Sequence, residues 1–267
     1  MTETALIKVQ TLSTLDVDHV HEVTRSCGYS ILRGLVPSEE IQESKKLLRA
    51  WFDPNRDNAS RGESPSVLEA DFYQKFLVGA THQSGMNRPR CYRTIYFSLN
   101  FAERFLLRNT FTTLARVRNL VAGLPINYAI NNDSDGFWTP ARIHHYPKGG
   151  GFLVQHRDSF IPIVQQSGGV LSYAQPIVVM SRRGIDYSDG GGFVLDSRGE
   201  RVYYEDYCEL GDIILYTGDT IHGVEDVDPH LAFDQKSFDG RLSGLVTLYR
   251  RAGSYEEILQ LAGRTIS

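Results

Sequence analysis

The chain has 267 residues, of which 41% are apolar and 22% charged, and its formal net charge is −4. That length and balance describe a single globular domain with a sizeable buried core. The acidic balance without a Lys/Arg-rich stripe argues against nucleic acid as a partner, and no apolar run approaches the about 18 residues that a membrane span needs.

The pattern predicts a first helix over 14–27, capped by Thr14 or Asp16, with Val17, Val20 and Val23 on one side and Gly28 ending it. A short strand follows from Tyr29 to Leu35. A second helix opens at Pro37-Ser38-Glu39-Glu40 and runs to Phe52. Ser38 is its expected N-cap, and Ile41, Leu47, Leu48 and Trp51 form its apolar stripe. Asp53 to Pro65 reads as a mobile surface loop, 67–80 as a short helix, Ser84 to Pro89 as a loop and Cys91 to Leu99 as a strand. One helix is expected over Phe101 to Val121, burying Phe105, Leu106, Leu114, Val117 and Leu120.

From about Asn127 short β-type runs alternate with Gly, Asp and Ser turns. Strands are expected at 141–146, 152–156, 174–181, 191–195, 201–204, 212–217, 222–227 and 242–250. Helices first and many short strands afterwards predict a mainly β protein with flanking helices. The expected organisation is one domain: a helical support region over 1–126, a β core over 127–251 and a C-terminal helix over 252–267. That last helix has Ser254 and Glu257 in a capping-box pattern.

The three cysteines, Cys27, Cys91 and Cys208, are sparse and unpatterned. They fit reduced thiols, not a disulfide framework or a zinc site. The first residues show no basic segment followed by an apolar run, so no secretory signal is expected and the expected location is the cytoplasm.

The chemistry centres on Gly149 to Asp158. His156 and Asp158 stand two positions apart, and at a strand end such side chains share a face. An imidazole and a carboxylate on one face can both reach one metal ion. A second imidazole, with His222 as the candidate, completes the two-His-one-carboxylate set that holds non-haem Fe(II). The plain alternatives are a surface pair at a turn and a packed core histidine. On the strand at 141–146, Arg142, His144 and Tyr146 share one face. Three polar side chains there are costly to bury unless they bind something.

Several motifs follow in fixed order: Tyr146-Pro147-Lys148-Gly149-Gly150, His156-Arg157-Asp158, Gly190-Gly191-Gly192-Phe193, Gly211 to Tyr216, His222-Gly223-Val224 and Gly240-Arg241-Leu242-Ser243. The series resembles the Fe(II)/2-oxoglutarate-dependent dioxygenase superfamily, in its phytanoyl-CoA-hydroxylase-like and prolyl-hydroxylase-like branches. The resemblance covers about 140–251, with the 28–35 segment similar to the start of the phytanoyl type and 53–126 unmatched. It implies a double-stranded β-helix, or jelly roll. It also implies Fe(II), 2-oxoglutarate and O2 as cofactor and cosubstrates, with succinate and CO2 released.

By the same resemblance His156, Asp158 and His222 fall on the metal ligands. Arg241 falls on the residue that holds the far carboxylate of 2-oxoglutarate, and Ser243 on the hydroxyl of an Arg-x-Ser motif. Tyr146 and His144 are candidate contacts for 2-oxoglutarate, and Arg142 for substrate. An Arg fork suits this work because it matches a carboxylate bidentately and keeps its charge. Arg241 lies 19 positions after His222, a longer gap than the family's. The interval 225–240 therefore reads as an inserted loop at the barrel mouth, and Arg250 and Arg251 are rival anchors.

The expected function is hydroxylation of an unactivated C–H bond in a small molecule, such as an amino acid or a natural-product intermediate. Desaturation or ring closure by the same cofactors is the alternative, and a non-catalytic jelly-roll module or a cupin-type metal enzyme the less favoured one. Asp158 argues against halogenation, because the superfamily's halogenases carry Gly or Ala there. The pattern sets no oligomeric state.

Overall fold

The computed structural model describes residues 5–57, 68, 72–79, 90–130, 137–158 and 174–250. The expected C-terminal helix and the 84–89 loop lie outside these residues.

The strands in chain order are β1 (Leu6–Lys8), β2 (Ser30–Arg33), β3 (Tyr73–Val78), β4 (Arg90–Phe97), β5 (Phe137–Trp138), β6 (Ala141–Pro147), β7 (Gly151–His156), β8 (Ala174–Val179), β9 (Gly191–Leu195), β10 (Arg201–Val202), β11 (Ile213–Thr217), β12 (His222–Val227), β13 (Gly240–Val246) and β14 (Tyr249–Arg250). All but β5 and β14 join one curled sheet, ordered β1-β2-β11-β8-β13-β6-β4-β7-β12-β9-β10, with β3 added to β4. The sheet turns its corner at β4. Arg93 to Phe97 pair with β6, while Arg90 and Cys91 pair with β7.

One wall is therefore β2-β11-β8-β13-β6, and the facing wall is β7-β12-β9-β10. The chain alternates between them: β6, β8, β11 and β13 lie in the first, and β7, β9 and β12 in the second. This is a double-stranded β-helix, the jelly-roll core that the motifs imply.

The first wall obeys the period-2 rule on both faces. Leu32, Val178, Ile213, Leu215, Leu242 and Val246 face the helices. Ile31, Ile177, Val179, Ile214, Tyr216 and Leu245 face the interior between the walls. Among the described residues three helices pack outside: α1 (Val17–Cys27), α2 (Ser38–Trp51) and α3 (Arg108–Val121). Asp16 caps α1 by accepting from the His19 amide at 3.0 Å, and Gly28 closes it in the left-handed region at φ 87°.

Several sequence expectations are corrected here. Pro37, not Ser38, holds the N-cap position of α2, and Leu47 is exposed, since the core takes Ile41, Ser44 and Leu48. The helix expected over 67–80 is replaced over 73–78 by β3, because Tyr73, Gln74 and Leu77 bury themselves in register against β4. The helix expected from 101 to 121 breaks in two. A 3-10 turn, Phe101–Phe105, ends at Leu106 with φ 58°, and α3 starts afresh at Arg108, leaving Leu106 exposed. The strand expected at 201–204 stops at Val202 and becomes a 3-10 turn, Tyr204–Asp206.

Among the described residues the part before 127 contributes four strands as well as helices. Asp57 is tied down, since it takes the Arg93 fork at 2.9 and 2.8 Å. The 228–239 stretch is likewise anchored: Gln235 C=O accepts from Arg93 Nη2 at 2.8 Å, and Phe238 is buried against Phe52 and His145. No helix among the described residues is long and apolar enough to cross a membrane.

Candidate metal centre

β7 and β12 pair antiparallel with His156 directly opposite His222, and the ring centroids lie 4.3 Å apart. Asp158 follows two residues after His156. Its amide donates to the Gly218 carbonyl at 2.9 Å, which fixes the chain as it leaves the strand. Its carboxylate is shared: Oδ1 is 3.4 Å from His156 Nε2, and Oδ2 is 3.5 Å from His222 Nε2. Ligand-type atoms of all three residues lie within 4.8 Å of one another.

The other ring nitrogens settle the tautomers. His156 Nδ1 is 2.8 Å from the Val154 carbonyl, and His222 Nδ1 is 2.9 Å from that of Thr220. A carbonyl can only accept, so each Nδ1 carries a proton and each ring turns its Nε2 toward Asp158. Burial pushes the Asp158 carboxyl up, but the two imidazoles outweigh it and hold it well below the usual range. Two imidazole Nε2 atoms and a carboxylate thus converge on one point, an arrangement that a divalent cation satisfies. The second-partner hydrogen bonds are those that metal-ligating histidines make, and the N,N,O donor set suits Fe(II). The residues fit the metal.

Beside this centre lies a second cluster. On β6, Arg142, His144 and Tyr146 alternate with Ala141, Ile143 and His145. On β13, Leu245, Ser243 and Arg241 are their cross-strand partners. Arg241 and Ser243 share the inner face with Leu245, so the predicted polar face does point between the walls. Arg241 is almost fully buried. Its Nη1 is 3.2 Å from Ser243 Oγ, its Nη2 is 3.0 Å from Tyr204 OH, and its guanidinium lies 5.1 Å from the Tyr146 ring centroid. Burial works against its charge, but Glu205 and the surrounding tyrosines more than compensate, so it remains a cation.

Asp158 and Arg241 both act electrostatically on His144 and on Tyr216, which places the two clusters around the same side chains. Burial, with Arg142 and Arg241, drives His144 well below its ordinary value, so it is a neutral ring. Burial raises Tyr146 and Tyr216, which keep their protons. Tyr216 lies tilted 4.5 Å from His222, and Tyr92 stacks 5.1 Å from Tyr146. Arg142 stands slightly apart: it donates to Thr247 Oγ1 and lies between the Tyr96 and Tyr249 rings.

No family model matches the sequence, and no curated protein does. Solved structures do. One is EctD from S. alaskensis with 2-oxoglutarate and 5-hydroxyectoine, 15% identical over 88% of this chain and 76% of that one, with a TM-score of 0.52. Another is a prolyl hydroxylase from Trichoplax adhaerens in complex with a hypoxia inducible factor peptide fragment, 10% identical over 88% and 89%, TM-score 0.53. A third is a 2OG-Fe(II) oxygenase family protein from Caulobacter crescentus, 14% identical over 91% and 86%, TM-score 0.50.

The chain has the fold of the Fe(II)/2-oxoglutarate oxygenases. This fold explains why side chains separated by 64 residues meet: β7 and β12 are neighbours in its second wall.

The site also holds residues that the sequence reading missed. Tyr204 and Glu205 are consecutive, and on a strand they would face opposite ways. The 3-10 turn after β10 sends both inward, where each is buried. Gly191 and Gly192 carry the only signal of this. A Cβ on Gly191 would come within 2.7 Å of Glu205 Oε2, and one on Gly192 within 2.8 Å of Arg241 Nη2. A further group of ligand-type residues, the exposed Asp189 and His230 and the buried Asp228, gathers apart from this centre. There Asp228 Oδ1 accepts from the Ser188 and Asp189 amides, and Lys148 Nζ lies 3.7 Å from Oδ2, so a side chain supplies the local cation.

Proposed function

We propose that this chain is an Fe(II)/2-oxoglutarate-dependent oxygenase that hydroxylates an unactivated C–H bond of a small molecule. The observation that carries the reading is the convergence of two carbonyl-oriented imidazole Nε2 atoms and the Asp158 carboxylate, across the same interior from Arg241 and Ser243. His156, Asp158 and His222 would hold the metal. When bound, Fe(II) with 2-oxoglutarate and O2 supplies an oxidant strong enough for such a bond, releasing succinate and CO2.

The chain's own residues do the rest. Arg241 and Ser243 hold the far carboxylate of 2-oxoglutarate, with Tyr146 as a further hydroxyl donor. His144, kept neutral, lines the floor without adding charge. The close-packed walls around Tyr92, Tyr146 and Tyr216 exclude water from the reacting groups. Arg142, with its cation at the edge of this face, favours a substrate that carries a carboxylate, such as an amino acid or a natural-product intermediate. The anchored 228–239 loop shapes the mouth through which it enters. Retention of Asp158 supports hydroxylation over halogen transfer.

The test is anaerobic addition of 2-oxoglutarate to Fe(II)-loaded protein. A charge-transfer band in the visible range is expected, absent in Asp158→Ala and His222→Ala. Turnover of 2-oxoglutarate by those variants would refute the assignment. A screen for substrate-stimulated succinate formation then identifies the substrate.

A further inference from the structure

The cosubstrate anchor already contains a carboxylate. Glu205 Oε1 accepts from Arg241 Nε at 2.7 Å, and both side chains are buried to within 2% of full. Glu205 Oε2 accepts from the Gly192 amide at 2.9 Å and from Tyr187 OH. Glu205 is therefore fixed from both sides and cannot swing away to make room for a ligand. The pair spans the barrel, since Arg241 belongs to the first wall and Glu205 to the turn after β10 in the second.

Only one edge of the guanidinium is used by this pair. The Nη1 and Nη2 groups instead reach Ser243 Oγ and Tyr204 OH. Both hydroxyls accept from Arg241, so each retains its own proton to donate. The charges of Arg241 and Glu205 cancel. A lone buried cation attracts any anion strongly, whereas a neutral buried pair selects by hydrogen-bond geometry.

We propose that Glu205 is a positioning and specificity-determining residue: it orients Arg241 and cancels its charge, so that selection of the far carboxylate falls to the Tyr204 and Ser243 hydroxyls. The proposal rests on the reading of Arg241 as the 2-oxoglutarate anchor. Its consequence is that the wild-type protein tells 2-oxoglutarate from a 2-oxo acid of equal length with an apolar tail through those hydrogen bonds, without an uncancelled charge to add to them.

Equilibrium titration of the Co(II)-loaded protein with 2-oxoglutarate and with 2-oxopentanoate measures this as a ratio of affinities, without turnover. In Glu205→Gln the ratio rises about tenfold through tighter 2-oxoglutarate binding, the order expected when one charge-assisted contact is no longer neutralised. Glu205→Asp, which keeps the charge, stays nearer the wild-type ratio. Tyr204→Phe lowers the ratio, and it decides the matter alone if Glu205→Gln does not fold. An unchanged or lower ratio in Glu205→Gln, or an unchanged ratio in Tyr204→Phe, overturns the proposal while leaving the oxygenase reading intact. If the wild-type protein binds neither acid, the oxygenase reading itself fails and takes this one with it.

Discussion

His156 and His222 face each other as direct cross-strand partners, and each gives its Nδ1 proton to a carbonyl two residues earlier in its own chain. The two rings are thereby set in matching tautomers before any metal arrives. Their Nε2 atoms face Asp158, so the three candidate donors are already gathered.

Removal of any one of the three donors is expected to abolish the site. His156→Ala, Asp158→Ala and His222→Ala should each lose Co(II) or Fe(II) affinity by more than the about 10- to 100-fold that an outer partner costs. Isothermal titration checks this, and circular dichroism should show the fold retained. Near-wild-type affinity in any of them would remove that residue from the ligand set.

Arg241→Met is expected to act in two ways. It strands Glu205 as a buried unpaired carboxylate, which costs about 3–5 kcal/mol. It also raises the 2-oxoglutarate requirement far more than that for iron. The double variant Arg241→Met with Glu205→Gln should recover part of the stability but none of the 2-oxoglutarate affinity. Urea unfolding and ligand titration read the two effects separately.

Gly192→Ala should weaken 2-oxoglutarate binding while sparing the metal. The new methyl would overlap Tyr204 OH and press on Arg241 Nη2. Overpacking of this kind costs about 1–3 kcal/mol. A thermal scan with and without 2-oxoglutarate should show a smaller ligand-induced rise in Tm than in wild type.

His145 makes stability pH-dependent away from the metal. It is fully buried; burial, then the adjacent Arg93, lower its pKa to about 3. Arg93 Nη1 donates to Nδ1 at 3.0 Å, and Nε2 donates to the Asp239 carbonyl at 3.1 Å, so the native ring is neutral. The unfolded ring titrates near 6.5. The folded value is the depressed one, so this contribution is present above about 6.5 and is lost as pH falls toward about 3. Between pH 7 and 5 the wild type should lose about 2 kcal/mol that His145→Gln does not. Urea midpoints at the two pH values give the difference; equal losses would show that the ring is not held neutral.

Much of the site was legible in the sequence because it lies on strands, where residue spacing translates directly into facing. His156 with Asp158, Arg241 with Ser243, and Arg142 with His144 and Tyr146 each share a face by the period of two. Apart from the one at 201–204, the strands from 141 to 227 fell close to their expected bounds for the same reason. Local pattern failed where distant partners decide conformation. Residues 73–78 became a strand because β4 offered a ladder, and the 101–121 helix broke because Phe101 and Phe105 pack back against Trp51.

By itself, then, the sequence determined a mainly β core with flanking helices and the inward direction of the polar face, since these follow from local periodicity and residue chemistry; the jelly-roll class and the candidate donors came from the resemblance of its ordered motifs. The tertiary structure alone decided that His222 meets His156 across 66 positions, that Asp57 and Gln235 are held by one arginine, and that Glu205 and Tyr204 turn together onto Arg241. Those contacts depend on which strands become neighbours when the sheet curls, and on a single 3-10 turn replacing two residues of strand. Neither is written in the spacing of any one segment.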